Sequence, residues 1–414
     1  MEELQTFRKK RKLCFAAMLV ICICAGFGYA WSVLQNPIVE YFGWKESAVS
    51  LTYTITVVCS SLTPLAFGNV IGKMRTRTCV LVGCILFGCG IFLCGIMTHI
   101  WQLYLFYGVL SGAGCGMIYP RMMAYAVRLY PDRTGMASGL GTAAYGSGAV
   151  LWAPVAAHLI DSGSLAGAFR LLGLVFLAVI LAGTVFLADP PEDWGRDMRT
   201  ETQDPDKEKT GCAGRNLNRS EMVRTKEFRI ALIVFTCGLI AGVIVISQAS
   251  PILQEILAFS PARAAVFVGV FSFCNMGGRF LWGSISDRIG IRDTIRVVAV
   301  ITAVSMILLP FAKTEVFVIL LMAVSASCYG GFASLLTPLT AELFGPRYIT
   351  ANYGVMYVVF GIASMIGPML AVRFQAAGSY NGAFLTAAVL ACLGFVLSGK
   401  FPREDRHDGK AISE

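Results

Sequence analysis

Two halves of this 414-residue chain match each other at an offset of 214 residues, and that repeat limits its fold more than any other feature. Pro37 falls on Pro251, Tyr130-Pro131-Asp132-Arg133 on Phe344-Gly345-Pro346-Arg347, and Pro154 on Pro368; a shift of 215 sets Gly68 on Gly283. Each half is a run of apolar segments. The expected fold class is therefore an all-α membrane protein, with 12 transmembrane helices in two pseudo-symmetric six-helix bundles. Duplicated bundles hold a substrate near the bilayer midplane and rock around it, so the repeat points to a transporter.

An apolar share of 56% with only 14% charged residues excludes a string of soluble domains. Apolar stretches of about 19–25 residues can each cross ~30 Å of hydrocarbon as a helix. They lie near 13–34, 46–68, 78–97, 101–129, 135–159, 168–188, 229–250, 262–285, 294–312, 315–337, 349–372 and 381–399. The expected units are an N-terminal bundle at 1–188, a linker at 189–228, a C-terminal bundle at 229–400 and a tail at 401–414. Pro190-Pro191 stops the sixth span, and the polar linker is expected to carry a short surface helix near its end.

An even number of spans puts both termini on one side. Of 34 Lys and Arg, 27 fall in loops and tails on that side, five on the other and two inside spans, so the termini are expected in the cytoplasm. The net charge of +9 follows this loop asymmetry and forms no basic domain, which argues against a nucleic-acid partner. The N-terminal apolar stretch is too long for a cleaved signal and reads as the first span. The 14 cysteines lie almost entirely in or beside spans, only Cys212 standing in the long loop; they read as small apolar packing residues with no metal or disulfide framework.

Small residues recur at packing intervals: Gly108, Gly112 and Gly116 in span 4, Gly135, Gly139 and Gly146 in span 5, Gly330 and Ala333 in span 10. They predict close helix contacts. No nucleotide, metalloprotease or nucleophile-elbow motif is present, so an enzyme is not expected and no cofactor is implied.

Charge inside the membrane carries the functional signal, since an ionisable group at a helix centre costs about 2.5–3.5 kcal/mol on insertion scales. Arg279 lies eight positions before Asp287, roughly 12 Å deep at 1.5 Å per residue. Ser272, Asn275, Arg279 and Ser286 share one face of span 8. Arg121, eleven positions before Asp132, reaches a similar depth from the other half, and either substrate contact or snorkelling accounts for it. No Asp or Glu sits in mid-span, and His99 and His158 lie at outer ends, so no buried proton relay is apparent. A positive cavity without an acid predicts an anionic cargo that is exchanged or moves down its gradient. Tyr29 on span 1, Tyr329 on span 10, and Tyr353, Tyr357 and Phe360 on span 11 are candidate walls, although aromatic stripes more often pack.

The run Gly283-Ser284-Ile285-Ser286-Asp287-Arg288-Ile289-Gly290-Ile291-Arg292 resembles the signature loop of the major facilitator superfamily. Asp287 and Arg288 are accordingly expected to gate; the counterpart after span 2 is degenerate, with Gly72 and Lys73 in those places. Gly28-Tyr29-Ala30-Trp31-Ser32-Val33 with Pro37 and Phe42-Gly43-Trp44, the run from Leu129 to Gly139, and Asn352-Tyr353-Gly354 are similar to segments of the oxalate:formate antiporters. That resemblance spans essentially the whole chain. It implies small-carboxylate transport, with Arg279 in the place of the span-8 arginine that binds the carboxylate. Oxalate carriers have a second cation, a span-11 lysine, where Phe360 stands here. Either a carboxylate is served by Arg279 alone, or Arg121 supplies the missing charge.

The expectation is a multi-pass carrier of the bacterial inner membrane, monomeric, exchanging small carboxylates by alternating access. A proton-linked monocarboxylate symporter and a transport-dead sensor are the alternatives. The candidate substrate site is Arg279, Arg121, Tyr29, Asn275, Tyr329, Tyr357 and Phe360.

Overall fold

In the computed structural model, residues 2–191, 194 and 216–401 are described. Among them the chain is helical throughout, without strands. Most of the predicted linker, the predicted tail, Cys212 and His407 lie outside the described residues.

Ten helices are long and apolar enough to be recognised as spans by composition alone. The other two are the helix over 100–129 and Pro261–Ile289, and these carry Arg121 and Arg279. Together they complete the twelve. Side-chain caps start several spans. Ser164 takes the Gly167 amide before Leu165–Val185, Thr225 that of Phe228 before Lys226–Ser247, and Ser260 that of Arg263 before Pro261–Ile289.

Four spans are broken in pairs that follow the repeat, while, among the described residues, span 4 alone carries a π stretch, Tyr104–Ser111. Span 1 runs Glu2–Ala25, a 3-10 turn Gly26–Ala30, then Trp31–Phe42; its mate, span 7, runs Lys226–Ser247 then Ala249–Leu257. Span 5 divides into Thr134–Gly146 and Gly148–Ser162, and span 11 into Ile349–Met356 and Val358–Ala376. The matched prolines, Pro37 with Pro251 and Pro154 with Pro368, sit in the outer pieces, where each removes a backbone donor.

The predicted glycine faces are contact faces. In span 4, a Cβ on Gly112 or Gly116 would come within 2.8 Å of Thr56 O and 2.4 Å of Ser60 O, on span 2 (Glu46–Lys73). Span 8 is held from both sides. A Cβ on Gly139 of span 5 would meet Arg279 O at 2.5 Å, and one on Gly330 of span 10 (Glu315–Phe344) would meet Asn275 O at 2.2 Å. Such spacing admits only hydrogen at the α carbon.

Packing between the halves is confined to the side that carries the linker. Spans 5, 4 and 2 meet spans 8, 10 and 11 there, while the outer pieces of spans 1, 5 and 7 pack within their own halves. The Ser138 hydroxyl donates to the Ser334 carbonyl across this interface at 2.7 Å. The expected linker helix is present as Arg219–Arg224, capped by Asn218, and just before it Leu217 donates to Phe344 O and accepts from the Asn352 amide.

Candidate functional site

Arg279 is only 2% exposed. Its Nε donates to Asn275 Oδ1, one helical turn earlier, at 3.2 Å. Its Nη1 crosses to the other half and donates to the Thr142 carbonyl of span 5 at 2.9 Å. The guanidinium lies against Gly146, where a Cβ would stand 3.4 Å from Cζ. Tyr29, Tyr119 and Tyr329 surround it closely enough to act on its charge. No carboxylate lies within ion-pair distance of Arg279 among the described residues.

An aromatic row leads away from this cation and crosses between the halves. Tyr29, on the 3-10 turn of span 1 and 42% exposed, packs edge-on against Tyr145 with centroids 5.4 Å apart. Tyr145 meets Tyr119 at 4.3 Å, Tyr119 meets Tyr357 at 5.3 Å, and Tyr357 meets Phe360 at 5.2 Å. Tyr357 lies at the break in span 11, so its ring projects where helical regularity lapses. The Tyr145 hydroxyl also pairs with Cys115 Sγ at 3.0 Å. Tyr329 is buried beside the cation with its Cβ pressed to Gly242 of span 7.

The structure thus gathers Arg279, Asn275, Tyr29, Tyr329, Tyr357 and Phe360 in one region. Thr142, Tyr119 and Tyr145 belong there too and were not expected. Arg121 does not join them. It is 4% exposed and points to the linker side, with Nε on the Thr76 hydroxyl, Nη2 on the Met74 carbonyl and Nη1 on the Thr350 hydroxyl. Expectation and structure differ here because residue count fixes depth but not direction: Tyr119, two positions away, turns to the aromatic row and Arg121 turns away from it.

The two expected gate residues also separate. The Asp287 carboxylate accepts from the amides of Gly135 at 2.8 Å and Met136 at 2.7 Å, capping span 5 from the opposite half. Arg288 is exposed and makes no hydrogen bond or ion pair with the described residues. Arg292 instead pairs with Glu342 at 2.6 Å inside the C-terminal half.

The model of the Major Facilitator Superfamily matches residues 16–312 and 230–414, essentially the length of the twelve-helix bundle. The chain belongs to the Major Facilitator Superfamily. Within this superfamily it is 27% identical to the oxalate:formate antiporter of Oxalobacter formigenes, over 92% of this chain and 89% of that protein. It is 21% identical to monocarboxylate transporter 12 of Mus musculus, over 87% of this chain and 78% of the other. In fold it is similar to FucP, a superfamily transporter solved in the outward conformation, with a TM-score of 0.74, 17% identity, and 94% and 99% of the two chains covered. This superfamily member is a transporter related to the oxalate:formate antiporter and the monocarboxylate transporters.

Proposed function

We propose that this transporter exchanges small carboxylate anions across the plasma membrane of a bacterium, with Arg279 as the carboxylate clamp and the linker side in the cytoplasm. The observation that carries this reading is a buried guanidinium without an acidic partner among the described residues. Hydrogen bonds to Asn275 and the Thr142 carbonyl occupy two of its five N–H groups and the Tyr29 hydroxyl lies within its reach, which still leaves N–H donors for an incoming oxygen. Asn275 and the Thr142 carbonyl hold the planar fork in place, so less side-chain entropy is lost when the anion arrives.

A single fixed cation favours a monocarboxylate or another carboxylate carrying little extra charge, because Phe360 and the tyrosines offer a second carboxylate no cation. Tyrosine faces suit the short apolar portion of such a cargo, and their hydroxyls can donate to its oxygens. Exchange follows from electrostatics. Closing both sides around an empty Arg279 strands a desolvated charge, whereas closing around a carboxylate buries a pair. The loaded carrier therefore reorients more readily than the empty one.

Counterflow in proteoliposomes tests this reading. Preloading with an unlabelled short carboxylate should speed entry of the labelled one several-fold, while a pH jump across the vesicle should have little effect. Uptake driven by the pH jump without preloading would instead identify a proton symporter. Ligand-dependent stabilisation without any flux would identify a sensor.

A further inference from the structure

The linker side is closed by two locks that the repeat relates, and their chemistry is not the same. At the first, Asp287 from the end of span 8 caps the first turn of span 5 through the amides of Gly135 and Met136. An offset of 215 sets Gly72 in the place of Asp287, and one of 214 sets Ile349 and Thr350 in the places of Gly135 and Met136. The second lock thus lacks its carboxylate, and Gly72 lies against Ala351, where a Cβ would be 3.3 Å from that of the alanine.

Arg121 fills the vacancy from another direction. Its Nη1 reaches the Thr350 hydroxyl at 3.1 Å, and this contact spans the two halves. On the N-terminal side, Nη2 donates to Met74 O and Nε to the Thr76 hydroxyl at 3.2 Å. Thr76 is in turn fixed by Asp189, whose carboxylate accepts from both the amide and the hydroxyl of the threonine. The guanidinium therefore ties spans 2, 3 and 4, and through Asp189 the end of span 6, to the first turn of span 11. Its mate in the repeat is Leu335, so the C-terminal half has no equivalent cation.

We infer that Arg121 is a positioning residue that replaces the missing acid: it locks span 11 on the linker side and sets the balance between the two faces of the transport cycle. A cation cannot cap helix amides, and the helix dipole disfavours it at an N-terminus, so it works through the Thr350 side chain. The Arg121 lock is accordingly the weaker of the two. Opening on the linker side begins at span 11 and only then releases span 5. This inference rests on the fold and the locks, not on the identity of the cargo.

Hydrogen exchange on the full-length carrier in nanodiscs tests it without any ligand. Arg121→Gln should raise exchange about tenfold at 349–356 and also, distantly, at 134–139, because a released bundle opens as a body. Adding Gly72→Asp to Arg121→Gln should restore protection at both segments by returning a carboxylate to the helix end. In the otherwise unaltered protein, Gly72→Asp should return an acid to the first turn of span 11 and slow exchange at 349–356, a readout available even if Arg121→Gln fails to insert. Loosening confined to 74–76 and 349–352, with no rescue by the aspartate, would overturn the inference in favour of local packing. Unchanged protection with lost carboxylate stabilisation would overturn it in favour of a substrate ligand.

Discussion

Arg279 and Arg121 lie at similar helical depth in related halves, yet their surroundings assign them different work. Arg279 keeps donors beyond those its two protein acceptors use and sits among tyrosines, while Arg121 meets three protein oxygens at the closed interface. Phe360 marks the other decisive residue. It stands at the end of the aromatic row, 5.2 Å from Tyr357, and is only half-buried, so a longer cationic side chain could reach toward the same space. Phe360→Lys is expected to raise the preference for dicarboxylates over monocarboxylates by roughly tenfold, the worth of about one well-placed charge-assisted hydrogen bond. Competition of both anions against a labelled monocarboxylate measures this, and an unaltered ratio would place residue 360 outside the cargo's reach. Sequence alone pointed to Arg279, because a charge in hydrocarbon is costly enough to demand a reason, and to Asn275 by its helical spacing from it; the departure at Phe360 came from the family resemblance. It did not supply Tyr119 and Tyr145, whose roles depend on each other and on rings from two other spans, Tyr29 and Tyr357, meeting them.

Broken and glycine-lined helices position these side chains. The 3-10 turn Gly26–Ala30 sets Tyr29, the break at Ser147 ends the piece that carries Thr142 and Tyr145, and the break at Tyr357 sets that ring. The span-8 helix holds its register because spans 5 and 10 meet it without side chains between. Gly330→Ala would drive a methyl group into Asn275 O and is expected to cost about 1–3 kcal/mol, as overpacking does. A lowered Tm with weakened carboxylate binding would follow, since Asn275 steadies Arg279; a stable carrier with full affinity would contradict this account of span 8. The glycine intervals were readable from sequence, as packing faces always are. Their partners were not: an interval says that something comes close, not which helix does.

Across the whole molecule, the halves meet on the linker side and part on the other, so the site is approached from the face opposite the linker in this state. Reorientation must break the caps at span 5 and the contacts at span 11 and then close the outer pieces around Arg279. Asp287→Asn should weaken the first lock by about 1 kcal/mol, the usual value of a helix cap. Crosslinking of outer pieces of spans 1 and 7 should then become more frequent, and unchanged crosslinking would place Asp287 outside the gate. The repeat made this architecture legible, whereas the asymmetry of its locks was visible only as the degenerate loop at Gly72. The account stands on an unpaired guanidinium that receives a carboxylate, and carboxylate uptake by Arg279→Gln in proteoliposomes examines that most directly. Flux should fall at least a hundredfold, consistent with ~3 kcal/mol for a buried charged contact, while insertion and Tm stay near those of the unaltered protein. Retained flux of the same carboxylates would contradict the account.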